Sequence, residues 1–152
     1  MTGETAAAVR RITAPEAAEL MRERGHRYVD VRSEAEFELG HPVGAYNVPW
    51  QHQGPDGMID NPDFVKTMRQ AFPSATPLII GCRTGHRSLL AARRLLAAGF
   101  ENVLEMQGGY AGARDPFGRV SCVGWYDAGL PTSMVADHGR TYPELAQSTY
   151  DS

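Results

Sequence analysis

Apolar residues follow two alternating rhythms along this chain. Short, nearly continuous apolar runs occur at Tyr28-Val29-Asp30-Val31, Gly44 to Pro49, Leu78 to Gly81 and Asn102 to Met106, as in strands buried on both faces. Between them the spacing is helical. Thr13-Ala14-Pro15-Glu16 reads as a capping box, and Ala17, Leu20 and Met21 form a stripe ending before Gly25. Ser33-Glu34-Ala35-Glu36 caps a second, brief helix that stops at Gly40. Asn61-Pro62 opens a third, with Phe64, Val65, Met68 and Phe72 on one face and Pro73 blocking its continuation. Ser88 to Ala98 predicts a fourth, with Ala91, Ala92, Leu95 and Leu96 inward, Arg93 and Arg94 outward, and Gly99 as its stop. Such alternation predicts an α/β fold with a parallel sheet covered on both faces.

The remaining segments lack either rhythm. Gln51 to Asp60, with Gly54, Pro55 and Gly57, reads as a loop. A second long loop carries Gly108-Gly109, Gly112, Asp115-Pro116 and Gly118, after which Trp125 to Pro131 predicts a last docked turn of helix. From about Met134 the chain is mostly polar and reads as a loosely held tail.

Composition narrows the function. A length of 152 residues suits one domain that buries roughly two thirds of its unfolded surface without a disulfide or metal. The formal charge of -3 provides no basic footprint, so nucleic acid is not an expected partner. No run approaches the ~20 apolar residues of a membrane span, and residues 1–11 lack the apolar core of a secretory signal. With Cys82 and Cys122 the only cysteines, the expectation is a cytoplasmic protein with reduced thiols.

The candidate chemistry lies in Cys82-Arg83-Thr84-Gly85-His86-Arg87-Ser88, between an apolar strand and a helix. In open parallel sheets, sites lie beyond the C-terminal strand edges, where Cys82 falls. Gly85 permits a tight turn without a Cβ, and successive N–H groups form an anion nest. With the helix dipole, Arg83 and Arg87, such a nest is expected to bring a thiol from about 8.5 into the range of about 3.5 to 7.5.

Cys-x-x-Gly-x-Arg after a strand resembles the active loop of the rhodanese family. Four further segments agree in chain order: Asp30-Val31-Arg32, Gly40-His41-Pro42-Val43-Gly44-Ala45, Asn47-Val48-Pro49, and Gly108-Gly109 followed by Trp125 and Gly129-Leu130-Pro131. One departure is visible, since the family's usual Gly-His-Ile-Pro-Gly-Ala stands here with Pro42 moved forward. The resemblance implies a rhodanese-like domain over residues 10–131, with an N-terminal extension at 1–9 and a polar tail at 132–152. It also implies a central parallel sheet of about five strands with helices on both faces. Its chemistry would be ping-pong sulfur transfer through a Cys82 persulfide, from thiosulfate or a similar donor to a thiol, or to cyanide in an assay. No metal or organic cofactor is implied.

Two rival functions differ in testable residues. Cysteine phosphatases and arsenate reductases need Cys-x5-Arg to cradle a tetrahedral oxyanion, and here Ser88 holds that place. Non-catalytic rhodanese-like modules usually lack the loop cysteine. Arg83 is the candidate for meeting a donor's sulfonate, or is merely solvated. Arg87 is expected to brace the loop by pairing with a carboxylate. His86 binds an anion or is simply exposed. Asp30 and Arg32 border the same edge, with Arg32 expected to pair with Glu36. His41 is read as a turn residue bonded to backbone; Trp50 and His52 are candidates for the pocket rim, with packing as the alternative for Trp50. Cys122 is either a resolving thiol or a buried structural cysteine.

Overall fold

The computed structural model describes residues 8–147. In chain order its elements are β1 (Arg10–Ile12), α1 (Ala14–Arg24), β2 (Arg27–Asp30), α2 (Glu34–Glu38), β3 (His41–Pro42), β4 (Tyr46–Asn47), β5 (Gln51–Gly54), β6 (Gly57–Asp60), α3 (Phe64–Ala71), β7 (Leu78–Gly81), α4 (His86–Ala97), β8 (Val103–Met106), β9 (Ala113–Arg114), β10 (Val120–Cys122), β11 (Thr132–Ser133) and α5 (Tyr142–Gln147). Residues 1–7 of the expected extension and 148–152 of the expected tail lie outside the described residues.

Five strands form one sheet in the order β1-β8-β7-β2-β4, every pairing parallel. Central β7 buries all four of its residues, and period-two alternation divides them between two cores. Leu78 and Ile80 pack with α3, α4 and Leu145 of α5. Ile79 packs on the other face with Ala14 and Ala17 of α1, Phe37 of α2 and Trp125. Both expected capping boxes form: Thr13 accepts from the Glu16 N–H, and Ser33 from the Glu36 N–H. Among the described residues, no helix is long and apolar enough to cross a membrane.

Several expectations change. β1 has no apolar rhythm of its own and exists through its pairing with β8. Gln51 to Asp60 is an antiparallel hairpin rather than a loop, with Gln51 opposite Asp60; its strands are mostly polar and exposed, with only Met58 and Ile59 apolar, so the Gly54-Pro55-Asp56-Gly57 turn is its main mark in sequence. The second long loop contains the β9–β10 hairpin. Trp125 to Pro131 forms turns rather than a helix, with the Trp125 indole N–H donating to Pro131 O at 2.7 Å. The tail is not loose through residue 147. β11 pairs with β3, the Asn47 N–H donates to Arg140 O, and Leu145 is 5% exposed within the core. Its polar composition hides a single buried apolar anchor, Leu145.

Candidate active site

The site forms where β7 and β2 end side by side, with Gly81 in register with Asp30. Cys82 follows β7, and the chain turns at Gly85, φ 108°, into α4. The Gly85 N–H donates to Cys82 Sγ at 3.1 Å. Of the successive N–H groups expected at the sulfur, this is the one in hydrogen-bond contact with it among the described residues. Cys82 is 1% exposed, whereas Arg83, Thr84 and His86 are exposed on the crest of the loop. Ser88, fully buried, lies 3.3 Å from the sulfur through its Oγ.

Gly108-Gly109 clamp this loop from the β8 side. The Tyr110 N–H donates to Cys82 O at 2.7 Å and the Ala111 N–H to Arg83 O at 2.8 Å. Gly109 has φ 60°, and a Cβ there would lie 2.4 Å from Cys82 O and 2.6 Å from Arg83 C. Both obstacles are backbone and cannot rotate away. Gly109→Ala is therefore expected to destabilise the fold by about 2–4 kcal/mol, a left-handed cost plus a steric one. Urea denaturation checks it, and a loss below about 1 kcal/mol would contradict the clamp.

Arg87 folds away from the sulfur onto Glu36 of α2, NH1 to Oε1 at 2.7 Å and NH2 to Oε2 at 3.0 Å. Burial raises the Glu36 carboxyl, but the hydrogen bonds and charge of Arg87, with those of Ser33, outweigh it and bring it from 4.5 to about 2. A carboxyl depressed by folding contributes stability that is present above its unfolded value and lost as pH falls through the folded one. The Arg87 brace is thus expected to be complete above pH 4.5 and to fail as pH drops towards about 2. A carbon-detected NMR titration of Glu36 reads this directly; a midpoint near 4.5 would mean that the pair does not hold in solution.

Glu36 being taken by Arg87, Arg32 does not pair with it as expected. Arg32 instead grips Asp30, two residues back at the end of β2, through NH2 to Oδ2 at 2.6 Å and Nε to Oδ1 at 3.0 Å. It also donates to Gly40 O at 2.6 Å and lies over the Tyr110 ring, 4.5 Å from its centroid. Arg83, in no ion pair among the described residues, shares a cavity of about 450 Å³ with Arg32, Leu39, Gly40 and Tyr110. That cavity adjoins the loop.

Other candidates are placed elsewhere. His41 is buried with Nδ1 2.7 Å from Phe37 O and its ring stacked on Phe37 at 3.8 Å, lining a separate cavity with Met134 and Tyr142. Trp50 meets Phe64 edge-on at 5.1 Å, a packing contact. His52 tilts against Tyr142 at 5.5 Å. Cys122 is unpaired and partly exposed, not buried; its sulfur lies so near Gly108 that a Cβ there would be 2.8 Å away.

Sequence reasoning missed Glu105 and Arg11. Glu105 is fully buried in β8, accepting from Ser88 Oγ at 2.5 Å and from Arg11 Nε at 2.6 Å. The available signal was a carboxylate in mid-strand among Val103, Leu104 and Met106, where a buried charge demands partners.

Comparison with known proteins agrees with this architecture. The rhodanese-like domain family matches residues 13–115. Thiosulfate sulfurtransferase 16, chloroplastic, of Arabidopsis thaliana is 42% identical over 108 residues, covering 71% of this chain and 80% of that protein. Senescence-associated protein DIN1 of Raphanus sativus is 38% identical over 110 residues, 72% of this chain and 60% of that protein. Among solved structures, Rv0390 from M. tuberculosis superposes with a TM-score of 0.70 at 31% identity, covering 85% of this chain and all of that one. A family match across most of the sheet and the whole cysteine loop, joined to these relatives, establishes that the chain belongs to the rhodanese-like domain family.

Proposed function

We propose that the protein is a thiosulfate-type sulfurtransferase, working through a Cys82 persulfide in a compartment that keeps thiols reduced, such as the cytoplasm. The observation that carries this reading is the pairing of a loop N–H with the Cys82 sulfur at the end of β7, in a chain whose relative is named a thiosulfate sulfurtransferase. Cys82 attacks the outer sulfur of the donor and sulfite leaves. The persulfide anion then sits against the N–H groups of the loop and the start of α4. An acceptor thiol removes the terminal sulfur, as cyanide does in an assay. No step calls for a metal or organic cofactor.

Arg87 supports this reading over oxyanion chemistry. Its guanidinium is committed to Glu36, and the position one residue further, which a phosphate cradle requires, is Ser88. Cys82 is 1% exposed, so this reading requires the donor to gain access to the sulfur past the exposed Arg83-Thr84 crest. The reduced protein is therefore expected to gain one sulfur atom in intact mass on exposure to thiosulfate and to lose it to cyanide. An unchanged mass overturns the proposal.

Arg83 stands on the crest in no ion pair among the described residues. Arg83→Ala is expected to raise the thiosulfate KM about tenfold, the loss of one charge-assisted hydrogen bond, while leaving iodoacetamide alkylation of Cys82 unchanged. Equal losses in both measurements would mean that Arg83 acts on the thiol instead.

A further inference from the structure

The proton on the Cys82 thiol has a defined route out. Cys82 is sealed from solvent, and its thiol is placed to donate to Ser88 Oγ at 3.3 Å. Ser88 has a single hydroxyl proton, which it gives to Glu105 Oε2 at 2.5 Å. Glu105 is fully buried, and its other oxygen accepts from Arg11 Nε at 2.6 Å. Sulfur, hydroxyl and carboxylate thus form one chain in which each proton points towards Glu105.

We infer that Glu105, acting through Ser88, takes the Cys82 proton when the sulfur becomes an anion; the inference rests on the sulfur-transfer reading. The S–H bond breaks and its proton goes to Ser88 Oγ, while the Ser88 proton passes to Glu105 Oε2. Combined with attack on the donor, Cys82 thiol, Glu105 carboxylate and thiosulfate yield Cys82 persulfide anion, neutral Glu105 and sulfite. Total charge is equal on both sides, and the electron pair of the donor's S–S bond leaves with sulfite.

Burial favours this destination over water. Releasing the proton to solvent would leave two buried anions separated by one hydroxyl; passing it to Glu105 leaves one. The sulfur anion keeps the Gly85 N–H, and Ser88 turns its new proton back towards it. Arg11 from β1, with 39% of its side chain exposed, gives up its partner but retains water. The other titratable groups that face the sulfur include Tyr28 of β2, itself beside Asp30 and Arg32, and Arg87 of α4, with Arg83 and His86 exposed on the same loop. Arg32 and Arg87 already hold carboxylates of their own, so neither replaces the relay.

Difference infrared spectroscopy of the whole reduced protein, before and after thiosulfate, tests this, with intact mass read on the same sample. The C=O stretch of a neutral carboxylic acid is expected to emerge together with the added sulfur in the wild type. It is expected to be absent in Glu105→Gln and in Ser88→Ala. Each variant is expected to slow single-turnover persulfide formation about a hundredfold, and the double variant no further, since both interrupt one path. In the wild type, added sulfur without the band overturns the relay and leaves sulfur transfer standing, as does slowing that multiplies in the double variant. No added sulfur in the wild type overturns both. The wild-type band and Ser88→Ala carry the test even if Glu105→Gln fails to fold.

Discussion

Cys82→Ser is expected to abolish the thiosulfate-dependent gain of sulfur entirely while the fold survives. Serine is smaller by little more than the difference between sulfur and oxygen, and its hydroxyl still accepts from the Gly85 N–H and still meets Ser88, the two contacts the sulfur makes. Stability should therefore change by about 1 kcal/mol or less. Alcohols do not form the persulfide bond, so chemistry is lost where structure is not. Cys122→Ser is the matched control and is expected to retain the full gain, because Cys122 lies on β10 against Gly108 and is not hydrogen-bonded to the loop. A mass gain in Cys82→Ser, or its loss in Cys122→Ser, would transfer the sulfur-carrying role to Cys122.

Asp30→Asn is expected to cost about 3–5 kcal/mol, the usual consequence of leaving a buried charge without its partner. Asp30 is 1% exposed and Arg32 4%. Burial works against the guanidinium's charge, and Asp30 outweighs it, raising Arg32 above its ordinary value. The pair also organises its surroundings: Asp30 Oδ1 accepts from the Arg32 N–H at 3.0 Å, and the Asn47 side chain donates to Asp30 O and Arg32 O. Removing the carboxylate strands the guanidinium with Gly40 O and the Tyr110 face. Adding Arg32→Met to Asp30→Asn should recover a large part of the loss, since the second substitution removes the orphaned charge. Urea midpoints at constant m value measure both effects. A loss below about 1 kcal/mol for Asp30→Asn would show that water reaches the pair.

The two halves of the site were not equally legible. The cysteine loop could be read because its parts are contiguous: apolar run, Cys82, Gly85, then a helical stripe. The Arg87 brace was foreseen as a carboxylate pair, but its partner was not, and Glu36 was assigned to Arg32. Arg32 lies next to α2 in sequence whereas Arg87 stands 51 positions from Glu36, and only the turn after β2, which folds Arg32 back on Asp30, leaves Glu36 for the distant arginine. The relay residues were illegible. Arg11 and Glu105 stand 94 positions apart, and β1, which brings them together, has no pattern without β8.

What this chain settles by itself is local: period-two and helical rhythms, two capping boxes, and a glycine where the loop must turn through positive φ. Those depend on neighbours within a few residues, so they survive in the linear order. Tertiary structure alone decided which charges meet, that the mostly polar residues 51–60 pair as a hairpin, and that Leu145 anchors the tail in the core. Each of these needs surfaces from distant segments to exclude water together, and a charge or a lone leucine gains its role only once that exclusion has happened.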